Sequence, residues 1–412
     1  MGEKKISRRD FLKGITGIAA GAAVTVALPK VAKADSIAAK LSEMLNEREG
    51  IAYVDSLGRE VIIPEKIISL IPSGIYAQTI LIMLCPDKLA ALARPVSEED
   101  ISDYERSGLE YLIGLPKTGE MFPLPGYSEI NTDAINRQGT EVILDIGAPK
   151  EGQIEKFDMV EDETGKVTLF INATVGNLGN AFRELGSLLD CEERASELAE
   201  YVDGIYEEIG EFSKNVSEEI RVYYAAGSHG TDRRREYSFQ NEVIRMLGFI
   251  PVEVPAGYDE RQIDTSLIPE IEADYIIFGS WQCYDNIVNM EGEDYEIWQE
   301  ADAIKRGAFA VAPGLFQSWM GTAFVQTIGA LWLGNMIFSE IYSYDIYKRA
   351  YIFYNLLFAY YLSNDELAAL LGTDDFINYI NEINGEIDIW KDDDGNILQI
   401  IDRKESDKWI IE

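Results

Sequence analysis

"INTDAINRQGTEVILDIG", Ile130 to Gly147, has an echo further along the chain in "IDTSLIPEIEADYIIFG", Ile263 to Gly279. Each opens on Ile, a polar residue and Thr, runs through a short amphipathic segment, and ends in an apolar strand closed by glycine. Thr132 and Thr265 suit the N-cap position, and Asp133 falls in a first turn, where a carboxylate favours the helix dipole. Another strand precedes each unit: "KIISLIPSG" (66–74), followed by helical "IYAQTILIML", and "IRVYYAAG" (220–227). "KLAALA" (88–93) reads as a further buried strand. Strand, glycine-containing turn and helix in succession are the α/β signature, so the duplication predicts two similar Rossmann-like lobes.

Between the units, residues 180–216 carry apolar side chains at threes and fours, including Leu185, Leu188, Leu189, Ala195, Leu198, Tyr201, Val202 and Ile205, and no proline. This spacing predicts one or two helices, a short one and then a long one, forming a stiff rod between lobes with a ligand cleft between them. The expected divisions are a signal segment at 1–34, a first lobe at 35–178, the connecting helix at 179–216, a second lobe at 217–372 and a C-terminal extension at 373–412. In that extension Ile387, Ile389, Ile397 and Leu398 flank an Asp-Gly-Asn turn and predict a hairpin. A second hairpin is expected in "IAYVDSLGREVIIP" (51–64) around Ser56, Leu57 and Gly58.

The 412 residues hold 36 Lys/Arg against 72 Asp/Glu, a formal net charge of −36, which repels nucleic acid and anionic lipid alike. Hydrophobic residues make up 47%, enough for sizeable cores, so a disordered chain is excluded. "SRRDFLKG", with Arg8 and Arg9 ahead of Phe11 and Leu12, resembles a twin-arginine export signal; a short apolar run and the small residues Ala32 and Ala34 predict cleavage after Ala34. Removing that segment, with its seven Lys/Arg and two Asp/Glu, leaves 29 basic and 70 acidic residues. The mature chain is therefore expected outside the cytoplasm, soluble and monomeric. Its three cysteines, Cys85, Cys191 and Cys283, form no C-x-x-C pair and read as core thiols, although one disulfide is possible. A single histidine, His229, excludes His-rich zinc sites, and no metal site or cofactor is expected.

Ligands of open α/β sheets gather at the carboxyl ends of strands. Those ends nominate Ser73, Tyr76, Arg94 and Tyr127 on the first lobe, and His229, Arg233, Arg234, Arg235, Trp281, Gln282, Tyr284, Phe316 and Trp319 on the second. Arginine grips carboxylate or other oxyanion groups with a planar fork, and three in a row are conspicuous in so acidic a chain. Aromatics in turns offer platforms for a flat organic ligand, or else pack into a core.

Four stretches in order resemble one family: "DSLGREVIIPEKIISLIPSG", "INTDAINRQGTEVILDIG", "RELGSLLDCEERASELAEYVD" and "PGLFQSWMGTAFVQTIGALWLGNMIF". They look like the extracytoplasmic substrate-binding proteins of ABC importers, in the class that handles ferric siderophores, haem and cobalamin. The likeness runs from about Ile51 to Gly372. It departs from the family pattern at Asp133, where Glu is usual, and at Thr140-Glu141, where Pro-Asp is usual. It implies a non-enzymatic protein that captures a metal chelate and hands it to a membrane permease and its ATPase, with Asp133 and Glu242 docking on the permease. A branch of the same family implies an oxyanion such as molybdate or tungstate instead. The competing class is an exported, cofactor-containing enzyme. Against it, "AGSHG" has Ala226 where a nucleophile elbow needs glycine, and there is no Walker loop.

Overall fold

The computed structural model describes residues 50–412 except 99–100, 124–126, 233–237, 255–261, 290–292, 316, 322–323, 372–386, 392–396 and 403–412. The first lobe begins with the expected hairpin, β1 (Ile51–Val54) against β2 (Glu60–Ile63). Its turn is held by Asp55, whose carboxylate accepts from the Leu57 and Arg59 amides and pairs with the Arg59 guanidinium at 2.8 Å. Then come β3 (Leu70–Pro72), α1 (Ile75–Leu84), α2 (Ile101–Arg106), α3 (Thr132–Asn136), β4 (Val142–Gly147), α4 (Gln153–Thr164) and β5 (Val167–Asn172). Among the described residues β3, β4 and β5 form a parallel sheet in that order. Every residue of β4 is buried, as a parallel strand covered on both faces requires. "KLAALA" does not join as a strand: after a 3-10 turn at Pro86–Lys88 it makes, among the described residues, only isolated bridges, Leu89 to Leu70 and Leu92 to Lys117.

Two helices follow, α5 (Leu178–Leu189) and α6 (Glu192–Ser213). The reversal between them turns on Asp190 in the left-handed region, at φ 52°. Gly186 lets the helices touch, since a Cβ there would lie 2.4 Å from the Ala195 methyl. The 22 residues of α6 span about 33 Å, the width of a lobe.

The second lobe contains β6 (Arg221–Ala225), α7 (Phe239–Met246), β7 (Ile250–Pro251), β8 (Tyr275–Phe278), α8 (Trp281–Tyr284), α9 (Glu293–Trp298), α10 (Asp302–Lys305) and β9 (Phe309–Val311). Its described sheet is also parallel, in the order β7-β6-β8-β9. A small hairpin of β10 (Gly314–Leu315) and β11 (Gln317–Ser318) leads to α11 (Gln326–Phe338), α12 (Ile346–Phe358) and α13 (Asn364–Leu371). The C-terminal hairpin is present as β12 (Ile387–Lys391) against β13 (Ile397–Asp402).

The repeat units cap their helices one residue earlier than the sequence suggests. Asn131, not Thr132, accepts the Ala134 amide at 2.9 Å, and Asp264, not Thr265, accepts the Ser266 amide at 3.0 Å. Asn and Asp outrank Thr at this position because their side-chain oxygen reaches the free amides more readily. Replacing Asn131 with alanine is expected to cost about 1 kcal/mol, read from the urea midpoint.

One hydrophobic core runs through both lobes, from Leu70 and Leu144 on one sheet to Val222 and Ile277 on the other. The C-terminal helices stitch across it. The Arg106 guanidinium lies over the Tyr360 ring and pairs with Glu366 at 2.7 Å, while the Tyr360 hydroxyl donates to Asp103 at 2.9 Å. Arg194 on α6 also donates to the Leu356 carbonyl. These links favour a modest opening of the lobes over a wide hinge.

Candidate functional site

The carboxyl ends of β3 and β4 build a polar cluster. Ser73, the residue after β3, is buried and donates its hydroxyl to Asp145 at 2.5 Å. Asp145 also accepts from Lys150 at 2.9 Å and from Gln153 at 2.6 Å, so Ser73 holds strand ends together and offers no hydroxyl to a solute. That corrects its reading as a ligand residue. Gly147 closes β4 at φ +140°, and a Cβ there would meet the Tyr76 ring at 3.2 Å.

Arg94 and Tyr127, nominated separately from the sequence, lie against each other. Gln78 grips the Arg94 backbone at both its amide and its carbonyl. The guanidinium pairs through Nε with Glu120, and its Cζ lies 3.3 Å from the centroid of the exposed Tyr127 ring. Arg94 Nη2 is buried without a hydrogen-bond partner among the described residues. An orphaned guanidinium N–H is costly, and an anionic acceptor would satisfy it. Beside it, Glu120 abuts Gly74, and the Met121 amide donates to the Ser73 carbonyl at 2.7 Å, which fixes the cluster on the end of β3.

Tyr76 lies where the lobes meet. Its hydroxyl donates to the Ala173 carbonyl at 2.7 Å, and its ring stacks on Phe239 of the second lobe, 5.7 Å between centroids and 12° between planes. Beside this pair Glu242, on α7, faces the Val175 amide just beyond β5, and its Oε2 is buried without a partner among the described residues. Burial, opposed by that amide and by Arg245, raises its pKa above the ordinary carboxylate range. Burial likewise lifts the Tyr76 and Tyr206 hydroxyls, with Glu242 adding to both. Glu242 thus joins the two lobes instead of facing outward, which corrects its reading as a docking carboxylate. Asp133 is exposed in the first turn of α3.

A raised carboxyl pKa means that the folded chain keeps a proton the unfolded chain has released. Stability therefore falls as pH rises from the ordinary glutamate range through the folded value. Glu242→Gln keeps an acceptor for Val175 and removes that cost. Its unfolding midpoint is expected above wild type at pH 7, with the difference vanishing below about pH 4.

On the second lobe the loop after β6 turns through Gly227 and Gly230, and His229 on it is exposed. The His229 carbonyl accepts the Trp298 indole at 3.1 Å. Arg233, Arg234, Arg235 and Phe316 lie outside the described residues. Trp281, Gln282 and Tyr284 belong to helix α8 and not to a turn, because Ser280 caps the Cys283 amide directly after β8. The Tyr284 ring packs edge-on against Phe278 at 5.8 Å and tilts against Phe309 at 6.0 Å, which places it on the sheet. Trp319 is fully buried, its indole donating to the Tyr354 hydroxyl at 2.7 Å, and so forms core and not a ligand platform.

A cavity of about 450 Å³ lined by Arg221, Ile250, Glu253, Leu267 and Ile271 opens at the amino end of β6. It lies at the opposite end of the sheet from the loops that carry ligands in such folds. Sequence reasoning missed Phe239, Glu120 and Gln78. Ser238, which caps the Asn241 amide at 3.3 Å, marks the helix start that presents Phe239.

No family model and no curated protein matches the chain. Solved structures do. An ABC transporter solute-binding protein from Sulfurospirillum deleyianum superposes with a TM-score of 0.67 at 21% identity, covering 78% of this chain and 99% of that one. The molybdate-binding protein MolA of Haemophilus influenzae gives 0.58 at 13% identity, over 76% and 99% of the two chains. The TroA-like periplasmic binding protein FepB of Veillonella parvula gives 0.57 at 15%, over 76% and 97%. Among the described residues no helix is long and apolar enough to cross a membrane. The chain has the two-lobed α/β fold of the solute-binding proteins of ABC transporters.

Proposed function

We propose that this protein is the extracytoplasmic solute-binding component of an ABC importer. It is exported by the twin-arginine machinery, cleaved after Ala34 and active as a monomer. It captures a metal chelate (a ferric siderophore, haem or a corrinoid) between its lobes and delivers it to the permease without transforming it. The observation that carries this reading is Arg94: a guanidinium with a buried N–H that has no partner among the described residues, set against the exposed Tyr127 ring at the carboxyl end of β3. A flat, anionic, partly apolar solute uses both features at once, with charge on the fork and ring on ring. Asp133, on the outer face, would meet a basic residue of the permease. The orphaned donor of Arg94 also suits a bare oxyanion, and MolA is a molybdate-binding protein of this fold.

Titration of the purified protein with ferric siderophores, haem, a corrinoid, molybdate and tungstate, followed by tryptophan fluorescence, separates the two. Sub-micromolar quenching by a chelate, with molybdate and tungstate weaker, supports the main reading. Tight binding of an oxyanion with no response to chelates selects the second. Silence towards every probe contradicts both.

A further inference from the structure

Cys85 and Cys191 are far apart in sequence but adjacent in space, each thiol close enough to shift the titration of the other. Neighbouring contacts independently hold the end of α1 and the start of α6 together. Arg194 Nε donates to the Met83 carbonyl at 3.2 Å, and Lys66 pairs with Asp190 at 3.0 Å. Cys85 ends α1 on the first lobe, and Cys191 begins α6 at the reversal of the connecting helices. Cys85 is buried, Cys191 is half-buried, and Cys283 sits elsewhere, its thiol directed at the Ala225 carbonyl at 3.7 Å.

From this geometry we infer that Cys85 and Cys191 are a disulfide-forming pair that staples the first lobe to the inter-lobe helices, leaving Cys283 as a free thiol. The oxidant is a disulfide, either a small molecule such as oxidised glutathione or the active-site disulfide of an oxidoreductase. The Cys191 thiolate attacks one oxidant sulphur, breaking the oxidant's S–S bond and releasing one thiol. Cys85 then loses its proton and attacks the Cys191 sulphur, displacing the second thiol. Two protein thiols give up two hydrogens and the oxidant gains both, so the exchange balances. The order follows from access and charge. Cys191 is the more exposed of the two residues, and the neighbouring Cys85 thiol, helped by Lys88, lowers its pKa. Cys85 is raised by the neighbouring Cys191 and by burial, and acts second.

The cross-link closes a loop of roughly a hundred residues, long enough to lower the unfolding equilibrium constant by about a thousandfold in the chain-entropy picture. Export, part of the function proposed above, would supply an oxidising compartment. The chemistry can be assayed without it, so failure of the pair and failure of the transport role are separable.

The purified full chain is equilibrated with oxidised glutathione, denatured and alkylated, then mapped without reduction. Two of the three thiols are expected to be protected, within a single Cys85–Cys191 linked peptide. The link persists in Cys283→Ser and is lost in Cys191→Ser, whose half-exposed position tolerates the change. Reduction of the linked protein is expected to move its denaturant midpoint down, with no such shift in Cys191→Ser. Alkylation of all three thiols overturns the inference. So does a linkage through Cys283, or a glutathione adduct on Cys191 that Cys85 never resolves.

Discussion

Trp319→Ala is expected to destabilise the protein by about 3–5 kcal/mol, the range for deleting a large buried aromatic, with the urea midpoint falling accordingly. The indole is fully buried, and its N–H donates to the Tyr354 hydroxyl, which also bonds the Leu315 amide at 3.0 Å. Tyr354 comes from α12, so a helix remote in sequence roofs the aromatic turn and turns its tryptophan into core. Trp319→Phe keeps most of the volume but drops the donor, and should cost nearer 1 kcal/mol on that account. A solute-facing tryptophan would behave oppositely, losing affinity at little cost in stability. Chemical denaturation of both variants distinguishes the two.

Arg94→Ala should weaken solute binding by about 30- to 1,000-fold, the loss expected when one partner of a desolvated charge contact is removed. Arg94→Lys should recover only part of this, because an ammonium keeps the charge and loses the planar fork. Truncation also strands the buried Glu120 carboxylate, which would destabilise the first lobe by itself. Arg94→Ala combined with Glu120→Gln removes that uncompensated charge, and affinity measured by calorimetry in this background reports the solute contact alone. Unchanged affinity there would remove Arg94 from the site.

Local rules carried the fold in the sequence. β4 and β8 are short apolar runs ending in glycine, α1 follows β3 after Ser73-Gly74, and both hairpins sit where turn residues interrupt alternating strands. The misreadings arose where tertiary contacts decide. "KLAALA" has the composition of a strand, but the 3-10 turn at Pro86–Lys88 leaves it only isolated bridges. Ser73 lies at a strand end, as a ligand residue should, yet Asp145 takes its hydroxyl. Glu242 lies on a helix that is partly exposed, and only the approach of the other lobe turns its carboxylate inward onto Val175. Arg94 and Tyr127 could be nominated singly by their places after strands, whereas their stacking depends on how the long loop through Glu120 folds back onto β3.

Iron, cobalt, molybdenum and tungsten all scatter anomalously, so a crystal of the protein with its tightest-binding solute would locate the metal directly. A solute gripped between the lobes puts the anomalous peak between the carboxyl ends of β3–β4 and β6–β8, within reach of Arg94. A peak in the cavity by Arg221 and Ile271, or on an outer surface of either lobe, would contradict the account.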